Sequence, residues 1–199
     1  HQVLANVGEV LGIETISATM AHPAIRAMFH RVQAEEITQT VAPVPGMTPL
    51  AYLELIEQRF SNPRIVDTTR RVAFDGSARH TGFVLPILRD QLAAGRSVSG
   101  LALVEALWAR MCAGTREDGS EIVANDPIWE ALKEAAQAAR TRPEAWLAQD
   151  RLYGDLAQAE AFRDAFVAWL SLIWDEGAVA AMNAYTQVDE SNGRASKAS

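Results

Sequence analysis

The sequence predicts an all-α domain, and three observations support this fold class. Apolar residues recur at the three- and four-residue spacing of amphipathic helices along most of the 199 residues. The strict alternation that is typical of strands never persists, and alanine is abundant. Because a chain of this length can bury a sizeable core, we expect one helical domain over residues 1–187.

The predicted helices begin near the first residue and follow one another closely. Apolar periodicity indicates helices over residues 3–13, 22–41, 49–60, 63–74, 83–94 and 101–113. Thr48 followed by Pro49 is typical of a helix start, because Thr caps the first turn and Pro fits the first helical position. The segment 101–113 is nearly all apolar and is therefore predicted to be the central helix.

Three further helices are predicted in the last third of the chain. One begins at Asp126–Pro127, and two longer ones are expected over residues 159–176 and 178–185. The remaining stretch, 188–199, consists of small and polar residues, which is typical of a solvated, flexible tail.

Composition and charge narrow the classes of function. The formal net charge is −7, from 18 basic and 25 acidic residues, and no basic stripe is present. This balance argues against nucleic acid or an anionic membrane surface as a partner. No apolar run approaches the length of a membrane-spanning helix, and a cytoplasmic protein is expected. The single cysteine, Cys112, excludes an internal disulfide and is predicted to be a small buried thiol.

Several cofactor and catalytic motifs are missing from this sequence. It contains no G-x-G-x-x-G, no histidine pair at the spacing of a helical metal site and no Cys/His cluster. Glu35 and Glu36 are adjacent, and adjacent residues point about 100° apart on a helix, so we expect a solvated face rather than a paired acid and base. The five tryptophans lie mostly on apolar faces and are predicted to pack in the core.

The stretch 67–80 is the main candidate for a functional site. It places three arginines, two aspartates and a histidine around a glycine, within an otherwise acidic chain. Arginine presents a planar fork of donors that suits hydroxyl or carboxylate oxygens. The alternative is a solvated helix end with internal ion pairs, which composition alone does not exclude.

Several linked segments also share their order and spacing with one known family. They are residues 1–12, 22–26, 35–37, 52–63, 67–71, 75–79 and 100–119. Together they resemble the C-terminal helical domain of the long-chain mannitol dehydrogenase family, which comprises polyol 2-dehydrogenases and uronate reductases such as fructuronate reductase. The resemblance extends over roughly residues 1–187.

The resemblance implies a fold, a cofactor and a partner domain. The fold is similar to that of the C-terminal domain of 6-phosphogluconate dehydrogenase. In the family, an N-terminal Rossmann-type domain binds NAD, no metal is needed, and the helical domain closes over the substrate. An NAD-binding domain of this kind is thus expected to be a partner of this chain and to lie outside it.

The resemblance also implies site residues. The catalytic motif of the family is a Lys, an Asn five residues later and a His three residues further, and His1 resembles that His. A remnant of a purification tag is the alternative interpretation of His1. Arg71 falls on the substrate-contacting Arg of the family, and Arg79 falls on a basic position that is often Lys. With the neighbouring His80, they form the expected substrate site.

The resulting expectation is the substrate domain of an NAD-dependent dehydrogenase that oxidises mannitol, sorbitol or arabinitol to a ketose. A base must accept the hydroxyl proton while nicotinamide accepts a hydride. The alternative within the family is a hexuronate reductase acting on fructuronate or tagaturonate, because arginines suit a carboxylate. The alternative from another class is a non-catalytic helical ligand-binding module.

Overall fold

The computed structural model describes the backbone of residues 1–195 and the side chains of residues 1–187. Within this part of the chain no strand forms, and two isolated bridges join Thr15 with Thr68 and Thr115 with Glu121. The predicted all-α class is confirmed.

Thirteen α-helices follow one another in the described residues. They are α1 (Gln2–Leu11), α2 (Ile16–Ala21), α3 (Pro23–Val32), α4 (Pro49–Ser61), α5 (Thr69–Ala73), α6 (Gly76–Arg79), α7 (Leu85–Ala93), α8 (Ser99–Cys112), α9 (Trp129–Ala139), α10 (Glu144–Leu147), α11 (Asp150–Tyr153), α12 (Glu160–Glu176) and α13 (Ala178–Ala195). Two π-helical segments, Gln33–Ile37 and His80–Val84, and a 3₁₀ segment, Gly154–Gln158, connect some of them.

Helix α8 forms the centre of the domain. Every residue from Gly100 to Cys112 is buried, as expected for a helix that is apolar on nearly all sides. Helices α12, α1, α9 and α13 pack around it. At Gly100 the approach is so close that an added Cβ would lie 2.4 Å from the Tyr185 hydroxyl, so only glycine fits there. Cys112 is fully buried, and burial raises the pKa of its thiol well above the ordinary value, as expected for an inert thiol.

Helix α1 is also buried along almost its whole length, between α5 and α8. Its polar residues Gln2, Asn6 and Glu9 are buried with its apolar ones. Gly12 ends the helix in the left-handed conformation, with φ of 71°, which glycine adopts without strain. In the first turn of α1, the Gln2 side chain donates to the Val72 carbonyl of α5 at 3.0 Å, which ties this turn to α5.

The helix predicted over residues 63–74 is wrong for its first half. Only Thr69–Ala73 is helical, and Thr68 caps it by accepting a hydrogen bond from the Arg71 amide at 3.1 Å. Residues 63–65 form a turn and a bend, in which the Ile65 amide donates to the Asn62 carbonyl at 3.1 Å. The end of the stretch pairs with another part of the chain, because the Ile16 amide donates to the Asp67 carbonyl at 2.9 Å. This tertiary pairing outweighs the local helical pattern. The predicted start at Thr48–Pro49 is confirmed, with the Thr48 hydroxyl accepting from the Ala51 amide.

The solvated face predicted for Glu35 and Glu36 is correct for the first residue and wrong for the second. Glu36 is 1% exposed, and its carboxylate accepts hydrogen bonds from the amides of Gly100 at 2.7 Å and Leu101 at 2.8 Å. It therefore caps the first turn of α8. Burial raises the pKa of Glu36, and those two backbone hydrogen bonds oppose the rise. The extra residue in the π-helical turn of Gln33–Ile37 changes which side chains face inward.

The tail predicted over residues 188–199 begins inside helix α13, whose backbone continues to Ala195, so this helix is longer than the predicted 178–185. The final four residues lie outside the described backbone, and the flexibility expected of this tail stays a prediction. No described helix is long and apolar enough to cross a membrane.

Candidate functional site

The start of α1, the end of α4 and the stretch from α5 to the second π-helical segment meet at one end of the domain. His1 immediately precedes α1, and its ring lies 4.7 Å from the Phe60 ring of α4, centroid to centroid. Two cavities open on either side of this imidazole. His1 is exposed, so it is accessible from both.

The first cavity joins His1 to Arg79 and is called the His1–Arg79 cleft. It has a volume of about 410 Å³ and is also lined by Gln2, Gln33 and the exposed ring of Phe83. A volume of this size suits a small-molecule ligand. The predicted residues His1 and Arg79 are thus brought together, although 78 positions separate them in the sequence.

A sharp turn before α6 sets the position of Arg79. Asp75 adopts the left-handed conformation at φ 59°, and its amide donates to the Asn125 carbonyl at 2.8 Å. Gly76 follows, where an added Cβ would lie 2.7 Å from Nε1 of Trp108. The Arg79 Nε donates to the Phe74 carbonyl at 2.8 Å, and its two Nη groups make no further hydrogen bond within the described residues. They can therefore donate to a ligand in the cleft.

The second cavity is a smaller pocket of about 50 Å³ between His1 and Asp67, here called the His1–Asp67 pocket. Arg59 and Phe60 are among its lining residues. Arg71 does not line it. Arg71 instead lines a separate cleft of about 670 Å³, together with Glu9 and other residues.

Asp67 and Arg71 form a two-point ion pair. The Arg71 Nε donates to Oδ1 of Asp67 at 2.7 Å, and its Nη2 donates to Oδ2 at 2.5 Å. The Arg71 side chain is 70% exposed and that of Asp67 is 19% exposed. These hydrogen bonds lower the pKa of the Asp67 carboxyl, despite an opposing effect of burial, so it is ionised at neutral pH. Arg71 is therefore next to the site of His1 but is held by a carboxylate.

His80 does not reach any of these cavities. It is fully buried and stacks on Trp108, with ring centroids 4.0 Å apart. Its Nε2 lies 2.9 Å from Nδ2 of Asn6, and its Nδ1 lies 2.5 Å from a Glu105 oxygen. Both ring nitrogens thus have protein partners. In this structure His80 links α1, which His1 precedes, to the segment that carries Arg79.

The hydrogen-bond network around Glu105 was not predicted from the sequence. Tyr153 donates to the second Glu105 oxygen at 2.6 Å, and Trp146 donates to the Tyr153 hydroxyl at 2.6 Å. Burial, followed by the nearby Glu105, raises the pKa of Tyr153 well above its ordinary value, so its hydroxyl remains a donor. The signal that could have revealed the network is Glu105 itself, a lone carboxylate within an otherwise apolar stretch. The buried positions of Trp108, Trp129 and Trp146 agree with the predicted core packing.

Comparison with known proteins identifies the family. Residues 1–174 match the mannitol dehydrogenase C-terminal domain. The chain belongs to this family, and the resemblance inferred from its motifs is confirmed. Its fold is accordingly that of the C-terminal domain of mannitol dehydrogenases.

Individual proteins with a sequence similar to that of this chain are mannitol 2-dehydrogenases. The chain is 46% identical over 185 residues to the enzyme of Cereibacter sphaeroides, covering 93% of this chain and 39% of the relative. It is 30% identical to the enzyme of Pyricularia oryzae, covering 78% of this chain and 31% of that relative. The chain thus spans less than half the length of these relatives.

Two solved structures have the same fold. The ternary complex of Pseudomonas fluorescens mannitol 2-dehydrogenase with NAD and D-mannitol matches with a TM-score of 0.89 and 26% identity, over 94% of this chain and 38% of that one. A D-sorbitol dehydrogenase in substrate-free form matches with a TM-score of 0.83 and 22% identity, over 92% and 38% of the two chains, and shows the shared fold. Among the described residues, no group of three His, Cys, Asp or Glu side chains is placed to hold a metal ion.

Proposed function

We propose that this chain is the substrate-binding domain of an NAD-dependent polyol 2-dehydrogenase that oxidises a secondary alcohol of mannitol, sorbitol or arabinitol to a ketose. The observation that carries the proposal is the His1–Arg79 cleft, which lies in a fold that matches a mannitol 2-dehydrogenase at a TM-score of 0.89. Imidazole and guanidinium groups converge there on a volume that suits a small polar ligand.

The chemistry divides between this chain and the rest of the protein. The described residues form no sheet with a glycine-rich turn, so NAD is expected to bind mainly to an N-terminal domain. When bound, NAD accepts the hydride from the substrate carbon. The base that accepts the hydroxyl proton is likewise expected outside this chain.

His1 and the arginines have distinct roles in this proposal. The imidazole of His1 hydrogen-bonds the reacting oxygen and stabilises the charge that develops on it. The free Nη groups of Arg79 donate to neighbouring hydroxyls and so fix which carbon faces the cofactor. Arg71 donates to a more distant hydroxyl from its place beside Asp67. His80 positions the two segments without touching substrate. No metal takes part in the proposed reaction.

Exposed apolar side chains support the proposal that another domain packs against this one. Phe83, which lines the His1–Arg79 cleft, is 69% exposed, and Tyr52, Leu55 and Val66 are further exposed apolar side chains of the domain. Exposed apolar groups of this kind mark surfaces that pack against another protein unit. We propose that the N-terminal NAD-binding domain covers them. A cytoplasmic location and the absence of nucleic-acid and membrane partners belong to the same proposal.

A hexuronate reductase and a non-catalytic ligand-binding module are the two alternative functions, and the first has more support. Arginines beside the cleft also suit the carboxylate of a hexuronate, so fructuronate or tagaturonate reduction is the second candidate. A non-catalytic ligand-binding module has no support from the family match, since its named members are dehydrogenases.

The test is His1→Ala in the full-length protein, measured as kcat/KM for mannitol with NAD. We expect a loss of about a hundredfold or more, because His1 would contact the reacting oxygen. His30→Ala is the matched control: His30 is exposed, pairs with Glu57 and lines neither cavity of His1. Equal activity of the two variants would overturn the assignment of His1.

A further inference from the structure

We propose that Asp67 makes this site selective for neutral polyols over substrates that carry a carboxylate, by occupying and neutralising the guanidinium of Arg71. The inference rests on the proposed function and specifies its substrate class. It assigns Asp67 as a specificity-determining residue, whereas the sequence pattern pointed to the arginines alone.

The geometry of the ion pair limits what Arg71 can bind. Arginine has five N–H donors, and a carboxylate binds best to one edge of the fork through two parallel hydrogen bonds. Asp67 already occupies the edge formed by Nε and Nη2, at 2.7 and 2.5 Å. The edge formed by Nη1 and Nη2 stays open to hydroxyl oxygens, but Asp67 already balances the positive charge that would attract a second carboxylate to it.

The negative charge of Asp67 also disfavours the binding of a substrate carboxylate. Its carboxylate is largely buried, and it lines the pocket that it shares with His1. A substrate carboxylate that reached this pocket would approach a negative charge at short range, whereas a hydroxyl would meet a hydrogen-bond acceptor. Without that charge, Arg59 and Arg79 would line the two cavities of His1 with no acidic side chain among the lining residues.

The experiment compares Asp67→Asn with wild type in the full-length protein. Asparagine keeps the shape and an acceptor oxygen while removing the charge. Dissociation constants of mannitol and mannonate are measured by calorimetry without turnover. We expect the ratio of the mannitol Kd to the mannonate Kd to rise by about two- to fivefold, and the rise to shrink at high salt.

Two controls make the result specific. Asp155→Asn removes the same charge from an exposed ion pair with Arg89 that lines none of the cavities described above, and it is expected to leave the ratio unchanged. Asp67→Glu restores the charge and is expected to keep the wild-type preference. A ratio that Asp67→Asn leaves unchanged, or that Asp155→Asn shifts equally, would overturn the inference. Failure of wild type to oxidise mannitol would instead count against the proposed function, because the binding ratio is measured without turnover.

Discussion

At the residue scale, the donors that line the His1–Arg79 cleft differ in whether they are free to meet a ligand. Gln2 donates to the Val72 carbonyl through its side chain, and outside this cleft Arg71 is engaged by Asp67. Arg79 keeps both Nη groups available in the His1–Arg79 cleft. Arg79 is consequently the described guanidinium best placed to bind a substrate hydroxyl directly.

Replacing Arg79 tests this role. In the full-length protein, Arg79→Met keeps the length of the side chain but removes its donors. We expect kcat/KM for mannitol to fall about ten- to hundredfold, mainly through KM, because a charge-assisted hydrogen bond is lost. Steady-state kinetics with NAD in excess measures the change. Arg26→Met, on the exposed part of α3, is the matched control and should stay within about twofold of wild type. An unchanged KM for Arg79→Met would exclude this contact.

Some residues of the site could be predicted from the sequence, whereas the contacts of others could not. His1 and Arg79 were predicted from spaced motifs, and the fold brings them to one cleft. The surroundings of His80 could not be predicted, because its partners Asn6 and Glu105 are 74 and 25 residues away. Those contacts depend on how α1 and α8 pack, and a local pattern contains no information about that.

At the scale of secondary-structure elements, buried polar groups fix the ends of helices next to the site. Glu36 receives two amide hydrogen bonds at the start of α8. The π-helical segment that contains Glu36 also contributes Gln33 and Ile37 to the wall of the His1–Arg79 cleft. The cap therefore connects the central helix to the site.

Removing this cap should destabilise the domain. Glu36→Ala leaves the amides of Gly100 and Leu101 buried without acceptors, so we expect the free energy of unfolding to fall by about 2–4 kcal/mol. Glu35→Ala removes the neighbouring carboxylate, which pairs with Arg31 and is half exposed, and should cost less than about 1 kcal/mol. Urea unfolding of both variants measures the difference. Similar losses in the two variants would contradict the capping role.

Most helices could be predicted from periodicity, and the errors have a common physical cause. The central position of α8 and the start of α4 followed from local composition and capping residues. The error over residues 63–68 arose because this stretch begins with a local turn and ends at Asp67 and Thr68, which pair with the start of α2. Such pairing between distant segments overrides local propensity.

At the scale of the whole molecule, the chain corresponds to less than half the length of its relatives. It covers 39% of the length of its Cereibacter sphaeroides relative. In the proposed function, the residues of this chain bind and orient a substrate, whereas the base and the NAD site are expected in another part of the protein. Residues 1–199 alone are therefore expected to produce no NADH from mannitol, even when fully folded.

The measurement that tests this account most directly is NADH formation by the full-length protein, followed by absorbance, on mannitol, sorbitol, arabinitol, mannonate and altronate. The account predicts oxidation of one or more of the three polyols and at most weak oxidation of the two aldonates, since Asp67 opposes a carboxylate near His1. Oxidation of the aldonates alone would identify a uronate reductase and contradict the polyol assignment. No NADH from any of the five would contradict the assignment of a dehydrogenase.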